Sequence, residues 1–168
     1  MTAPFRSVLL TPNILGPDGV SCLSRQIARA LPSPVMVVSL HDATSRDDML
    51  RRSAGGHRAS FVAHVVRTAL RCRRDTVIVC AHLHLAPLAR VMACRGARVT
   101  YVLCGIEAWT RLRRAQQQAL QTGRLVAISR HTADRFVEVN PQFARSAVDV
   151  CHPGIPARAD ETPAPENA

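Results

Sequence analysis

Six short apolar runs alternate with segments of helical period, and this alternation restricts the possible folds more than any other feature of the chain. The runs at 5–11, 35–40, 76–81, 99–104, 125–128 and 147–151 are mostly apolar rather than alternating, as in strands buried on both faces. Between them, Val20, Leu23, Ile27, Ala28 and Leu31 recur at helical spacing, as do Phe61, Val62, Val65, Val66 and Ala69. Further helices are expected at 85–95, 107–122 and 129–139. Pro87 suits a first turn, Gly96 and Gly123 suit helix ends, and Asn140-Pro141 closes the last helix. The polar segment 41–57 reads as a loop with a short helical turn. Strand and helix in repeated succession predict an α/β fold: a Rossmann-like, doubly wound, mainly parallel six-stranded sheet with helices on both faces. The folded domain is expected over 1–156, and the Ala/Pro/Glu-rich stretch 157–168 reads as a flexible tail or linker.

A chain of 168 residues supplies one domain with a sizeable core. Its formal charge is +10, and all 22 basic residues are arginine. That balance favours anionic partners such as nucleotide diphosphates, lipid phosphates or nucleic acid, and is equally that of a solvated surface. Nucleic acid is disfavoured, because six aromatics are scattered along the chain and no basic recognition helix stands out. No apolar stretch approaches the ~20 residues of a membrane-spanning helix. The short run 7–10 is followed at once by Thr11, Pro12 and Asn13, unlike a signal core, so a cytoplasmic protein is expected. The six cysteines form no Cys-x-x-Cys pair, which predicts reduced thiols, with Cys80 and Cys104 mostly buried at strand ends. Cys80, His82 and His84 alternate with period two, but no fourth ligand accompanies them, and no metal site is expected.

Open parallel sheets bind ligands beyond the carboxyl ends of their strands. Residues 99–109 fit that placement best, with an apolar run ending at Cys104-Gly105 followed by Glu107 and the only tryptophan, Trp109. Glu107 either favours a helix N-terminus electrostatically or carries chemistry, and its company with Gly105 and Trp109 favours the second. The first loop, Gly16-Pro17-Asp18-Gly19, lacks the Gly-x-Gly-x-x-Gly of dinucleotide folds. It is either a phosphate site at a helix N-terminus or a turn capped by Asp18 or Ser21. His82 and His84 end a strand at the same mouth, where each either binds ligand or bonds to backbone. Ser129 caps a helix, and an adjacent arginine, Arg130, is expected to face the cleft.

Taken together, these motifs resemble the family 4 retaining glycosyltransferases, in family order from residue 8 to about 156. Gly16-Pro17-Asp18-Gly19-Val20 resembles their Gly-Gly-x-Gly loop, His82-Leu83-His84 their His-x-His strand end, and Cys104 to Trp109 their His-Gly-x-Glu-x-Trp segment. Ala127-Ile128-Ser129-Arg130-His131-Thr132 is similar to their strand and helix start, and His152-Pro153-Gly154-Ile155-Pro156 to the segment closing their N-terminal domain. The resemblance implies the acceptor-side half of a two-Rossmann, B-type enzyme. Such an enzyme transfers sugar from a nucleoside-diphosphate sugar to a hydroxyl acceptor, lipid-linked or polysaccharide, without metal or other cofactor. It implies a catalytic Glu107, and substrate contacts from Gly16, Asp18, Gly19, His82, His84, Gly105, Trp109, Ser129 and Arg130. Cys104 stands where the family has a catalytic-site histidine, and Gly16-Pro17 where it has Gly-Gly. A donor-binding half, in cis or trans, is expected to be required for activity, and peripheral contact with an anionic membrane is a further expectation. The competing expectation is a non-catalytic Rossmann-like binding module.

Overall fold

A computed structural model describes residues 5–43 and 50–154. Ser7–Thr11 (β1) is buried along its whole length, because both of its edges are taken by parallel neighbours. Val35–Ser39 (β2) pairs on one side, with Arg51–Ser53 (β3) beyond it. Val77–Cys80 (β4) pairs on the other side, followed by Arg98–Leu103 (β5), Arg124–Ala127 (β6) and Val148–Val150 (β7). The sheet is therefore parallel, in the order β3-β2-β1-β4-β5-β6-β7. Register sets Leu9 level with Val37 and Val79.

Among the described residues five helices cover this sheet: Gly19–Ala30 (α1), Arg58–Ala69 (α2), Ala86–Ala93 (α3), Arg114–Leu120 (α4) and Arg130–Val139 (α5). Period-two alternation divides the strand residues into two cores. Val8, Leu10, Ile78, Cys80, Tyr101 and Leu103 pack with Phe61 and Val65 of α2, Ala89 and Met92 of α3, Leu120 of α4 and Phe136 of α5. Leu9, Val37, Val79, Ala81 and Val102 face the other way, against Leu23 and Ile27 of α1. The chain steps from β1 outward to β2, then returns past β1 and keeps that second direction to β7. Right-handed crossovers then place α1 on one face and α2 to α5 on the other. Helices do lie on both faces, but four to one rather than evenly.

Two further expectations are corrected. The sheet has seven strands rather than six, because Arg51–Ser53, in the segment read as loop, pairs with β2. Nothing apolar marks this strand; it forms because the outer edge of β2 offers backbone partners, and its arginines blunt the exposed edge thus created. Residues 44–49 of that segment, and 157–168, lie outside the described residues. The helix expected over 107–122 is instead a 3₁₀ turn, Ile106–Trp109, an extended step, and then α4. Side chains outbid helix formation there. Asn140 Oδ1 accepts from Leu112 N at 2.9 Å, Asn140 Nδ2 donates to Thr110 O at 3.2 Å, and Gln116 Oε1 accepts from Arg113 N at 2.9 Å.

Gly123 shows why β5 and β6 lie so close at their starts. A Cβ on it would fall 2.6 Å from Val99 O and 2.7 Å from Cε2 of the buried Tyr101 ring. Gly123→Ala is expected to destabilise by about 1–3 kcal/mol through overpacking, lowering Tm by roughly 2–4 °C for each kcal/mol. An unchanged Tm in calorimetry would show that this junction relaxes freely.

Candidate functional site

Adjacent parallel strands deliver the ends of β1, β4, β5 and β6 to one edge of the sheet, on either side of the point where the strand order reverses. The loop after β1 is held from three directions. Asp42, buried, accepts from Ile14 N through both carboxylate oxygens, at 3.1 and 3.0 Å, and from Leu15 N at 3.0 Å. From α1, Arg25 Nη1 donates to Ile14 O and Gly16 O at 2.7 and 2.8 Å. Thr11 and Ser24 hydroxyls meet at 2.7 Å. Neither Asp42 nor Arg25 stood out in the sequence, since each acts on backbone with no local pattern to mark it.

Within this loop, Asp18 is the N-cap of α1, accepting from Ser21 N at 3.0 Å and Ser21 Oγ at 2.7 Å. Those bonds hold its carboxyl below the ordinary value of 3.8, the Ser21 hydroxyl being the largest cause. Gly16 is required beside it, because a Cβ there would lie 2.5 Å from Asp18 Oδ2. Gly19 begins α1 over open space. Of the two readings of this loop, capping is the one made by the contacts, and the capping carboxylate occupies the position an anion would take.

At the neighbouring strand ends, His82, Cys104 and Glu107 come together. The Cys104 thiol donates to Ala81 O at 3.2 Å and to Glu107 Oε1 at 3.5 Å. His82 Nε2 stands 4.0 Å from Glu107 Oε2. His82 Nδ1 accepts from His84 N at 3.3 Å, so in neutral His82 the proton is on Nε2 and directed at the carboxylate. Burial lowers the His82 pKa and outweighs the opposing pull of Glu107, while His84, with its ring 4.9 Å away, lowers it further. Burial and then Glu107 push the Cys104 thiol up to about 12, so it is a donor here and not a thiolate nucleophile. Glu107 is the one carboxylate between Asp75 and Asp134 in a chain rich in arginine. Gly105 gives it room, since a Cβ would fall 2.4 Å from Glu107 Oε2. Gln116 Nε2, donating to Leu83 O at 3.2 Å, ties α4 to the histidine turn.

A cavity of 290 Å³ opens next to this group, lined by Gly19, Val20 and Leu23 of α1 together with Cys104, Ile128 and Pro153. Cys104 alone touches both the polar cluster and the cavity. On the other flank, Trp109 is 38% exposed and meets His131 edge-on, with ring centroids 5.6 Å apart. Ser129 caps α5, accepting from Thr132 N at 3.0 Å, and Arg130 opens that helix, exposed. The expected residues thus fall into three groups: the capped loop of Gly16, Asp18 and Gly19; the cluster of His82, His84, Cys104, Gly105 and Glu107; and a rim of Trp109, Ser129 and Arg130. No group of three metal-ligating side chains occurs among the described residues. None of the described helices is long and apolar enough to cross a membrane.

No protein-family model and no curated protein matches the sequence. Solved structures do. The fold matches that of HepE from Anabaena crystallised with UDP and glucose, at a TM-score of 0.64 and 15% identity, over 90% of this chain and 45% of HepE. The complex of the same protein with UDP alone matches at 0.63 and 15%, over 89% and 44%. The chain spans less than half the length of these neighbours, and at this identity the likeness establishes a shared fold.

Two outcomes follow from the site geometry. Asp18→Ala is expected to cost about 1 kcal/mol at neutral pH through the lost cap. Because the folded pKa is depressed, the contribution of Asp18 is complete above its unfolded value and disappears as pH falls through the folded one. The gap in stability between wild type and variant should therefore close in acid; a gap independent of pH would assign the effect to helix propensity. Among thiols, iodoacetamide at mildly alkaline pH should modify the exposed Cys22 and Cys151 rapidly, and the buried Cys80 and half-buried Cys104 slowly. Equal rates for Cys104 and Cys22, read by mass spectrometry, would contradict the raised Cys104 pKa.

Proposed function

We propose that this chain is the acceptor-binding half of a retaining glycosyltransferase of the two-Rossmann, B-type class, with a nucleoside-diphosphate sugar as donor and a hydroxyl as acceptor. One observation carries the reading: Glu107, among the described residues the single half-buried carboxylate, stands at the carboxyl edge of the sheet facing the Nε2–H of a neutral His82. Their 4.0 Å separation exceeds a hydrogen bond. A hydroxyl oxygen beside the pair, about 2.8 Å from each, would accept from His82 and donate to Glu107, which orients an acceptor for attack. Trp109 offers an exposed ring at the rim for the apolar face of a sugar. The fold shared with a structure holding UDP and glucose supports a nucleotide sugar as the second substrate, bound by a donor half in cis or in trans.

The competing reading, a binding module without catalysis, is favoured by Cys104. Its thiol is spent on Ala81 O and Glu107 and supplies none of the donor and acceptor geometry of the imidazole that the family places there.

Half a cleft cannot hold two substrates in register, an effect worth on the order of 7–11 kcal/mol in favourable cases. Residues 1–168 alone are therefore expected not to turn over UDP-glucose, and activity should appear when a donor-binding domain is supplied. In that reconstituted system Glu107→Gln should lower kcat/KM by roughly a hundredfold or more without changing Tm. Turnover by the isolated chain would overturn the split-site reading. Full activity of Glu107→Gln with a lowered Tm would make Glu107 structural, and failure of any donor domain to restore turnover would favour the binding module.

A further inference from the structure

Surface helices present a polar outer face, whereas α2 shows an apolar stripe to solvent as well as its arginines. Ala59, Val62, Ala63, Val66 and Leu70 form its exposed stripe, with Val62, Val66 and Leu70 exposed by 43%, 44% and 65%. Val91 of α3, the helix packed beside α2, is exposed as well. Arginines rim this stripe. Arg58, Arg67 and Arg71 flank it on the α2 side, and Arg90 and Arg95 on the α3 side, all exposed. Residues 51–98 hold ten arginines and one carboxylate, Asp75, so nearly all of the +10 charge of the chain sits here. The arginines are close enough to oppose one another. Arg52 is held below its ordinary range first by burial and then by Arg71 and Arg67, and Arg52 in turn helps to keep the nearby His64 low. The ion pairs Arg124–Asp149, Arg135–Glu138 and Arg145–Asp134 lie on other elements.

We infer that the outer face of α2, with the adjoining end of α3, docks on an anionic phospholipid surface. A bilayer interface accepts both halves of this pattern, the valines and leucine entering the acyl boundary while the guanidinium groups reach lipid phosphates. A second copy of the chain is a poor occupant, since pairing two such faces sets like charges against each other. A nucleic acid uses the charge and wastes the stripe. The stripe lies along the outside of the helix layer and the candidate site at the carboxyl edge of the strands, so a docked chain keeps its site open. This inference stands whether or not the chain acts in sugar transfer.

The test is flotation of the purified chain with vesicles of phosphatidylcholine alone or mixed equally with phosphatidylglycerol. Binding is expected to the anionic vesicles only. Replacing Arg67 and Arg71 together by glutamine should weaken it by roughly 30-fold, at about 1 kcal/mol per charge. Val62→Ser with Val66→Ser and Leu70→Ser should abolish it with circular dichroism and Tm unchanged, while Arg124→Gln, on another element, should have no effect. Absence of binding, equal binding to neutral vesicles, or binding that survives loss of the stripe would overturn the inference. So would a chain that dimerises in light scattering through Val66, or one that binds single-stranded RNA as tightly as vesicles.

Discussion

The double-sided pairing of β1 is the constraint on which the molecule depends. Once both edges of Ser7–Thr11 are occupied by parallel strands, every later strand must add outward, and handed crossovers decide on which side of the sheet each connection passes. The carboxyl ends of β1, β4 and β5 become neighbours as a result, and the loops they carry share one edge although they are far apart in the chain. Burial of Leu9 and Leu10, of Ile78 and of Leu103, each worth about 1.5–3 kcal/mol, stabilises that arrangement well away from the residues that use it.

The local chemistry of the edge follows from how few charges of one sign are present. A carboxylate in so basic a chain would ordinarily be paired with an arginine. Glu107 instead faces a thiol and an imidazole: burial, reinforced by Glu107 itself, keeps the thiol protonated, and burial outweighs the pull of Glu107 on the imidazole. Asp18 and Asp42 are committed elsewhere, one to a helix cap and the other to loop amides. Among the described residues the acids near the edge thus have different partners: Asp18 and Asp42 shape the loop, and Glu107 faces Cys104 and His82.

The same crossover rule that assembles the site makes the coat of helices uneven. Among the described residues four helices form one layer and α1 lies on the opposite face, so the outer surface of the larger layer is broad. Its arginines repel one another, and α2 within it shows valine and leucine to solvent. Both features raise the free energy of the isolated chain, and both are relieved by one kind of surface.

What the residues determined unaided was local in origin. Apolar runs specify parallel strands, all six of which appear within a residue or two of the expected bounds, and Asp18 and Ser129 cap the helices that follow them. The resemblance of short motifs pointed to a fold that HepE shares; the residues it singled out lie in three groups at the carboxyl ends of the strands. Tertiary structure decided everything that depends on partners far along the chain. Asp42 meets Ile14 across 28 positions, and Asn140 meets Leu112 across another 28. The first rigidifies a loop whose sequence resembled a phosphate turn, and the second breaks a helix whose composition favoured continuation. β3 exists because β2 had an unpaired edge, and the Cys104 thiol stays protonated because β4 and the turn after β5 enclose it. Neighbours within a few residues set propensity and capping, whereas edge pairing, desolvation and long-range hydrogen bonds arise only when the chain has brought distant groups together.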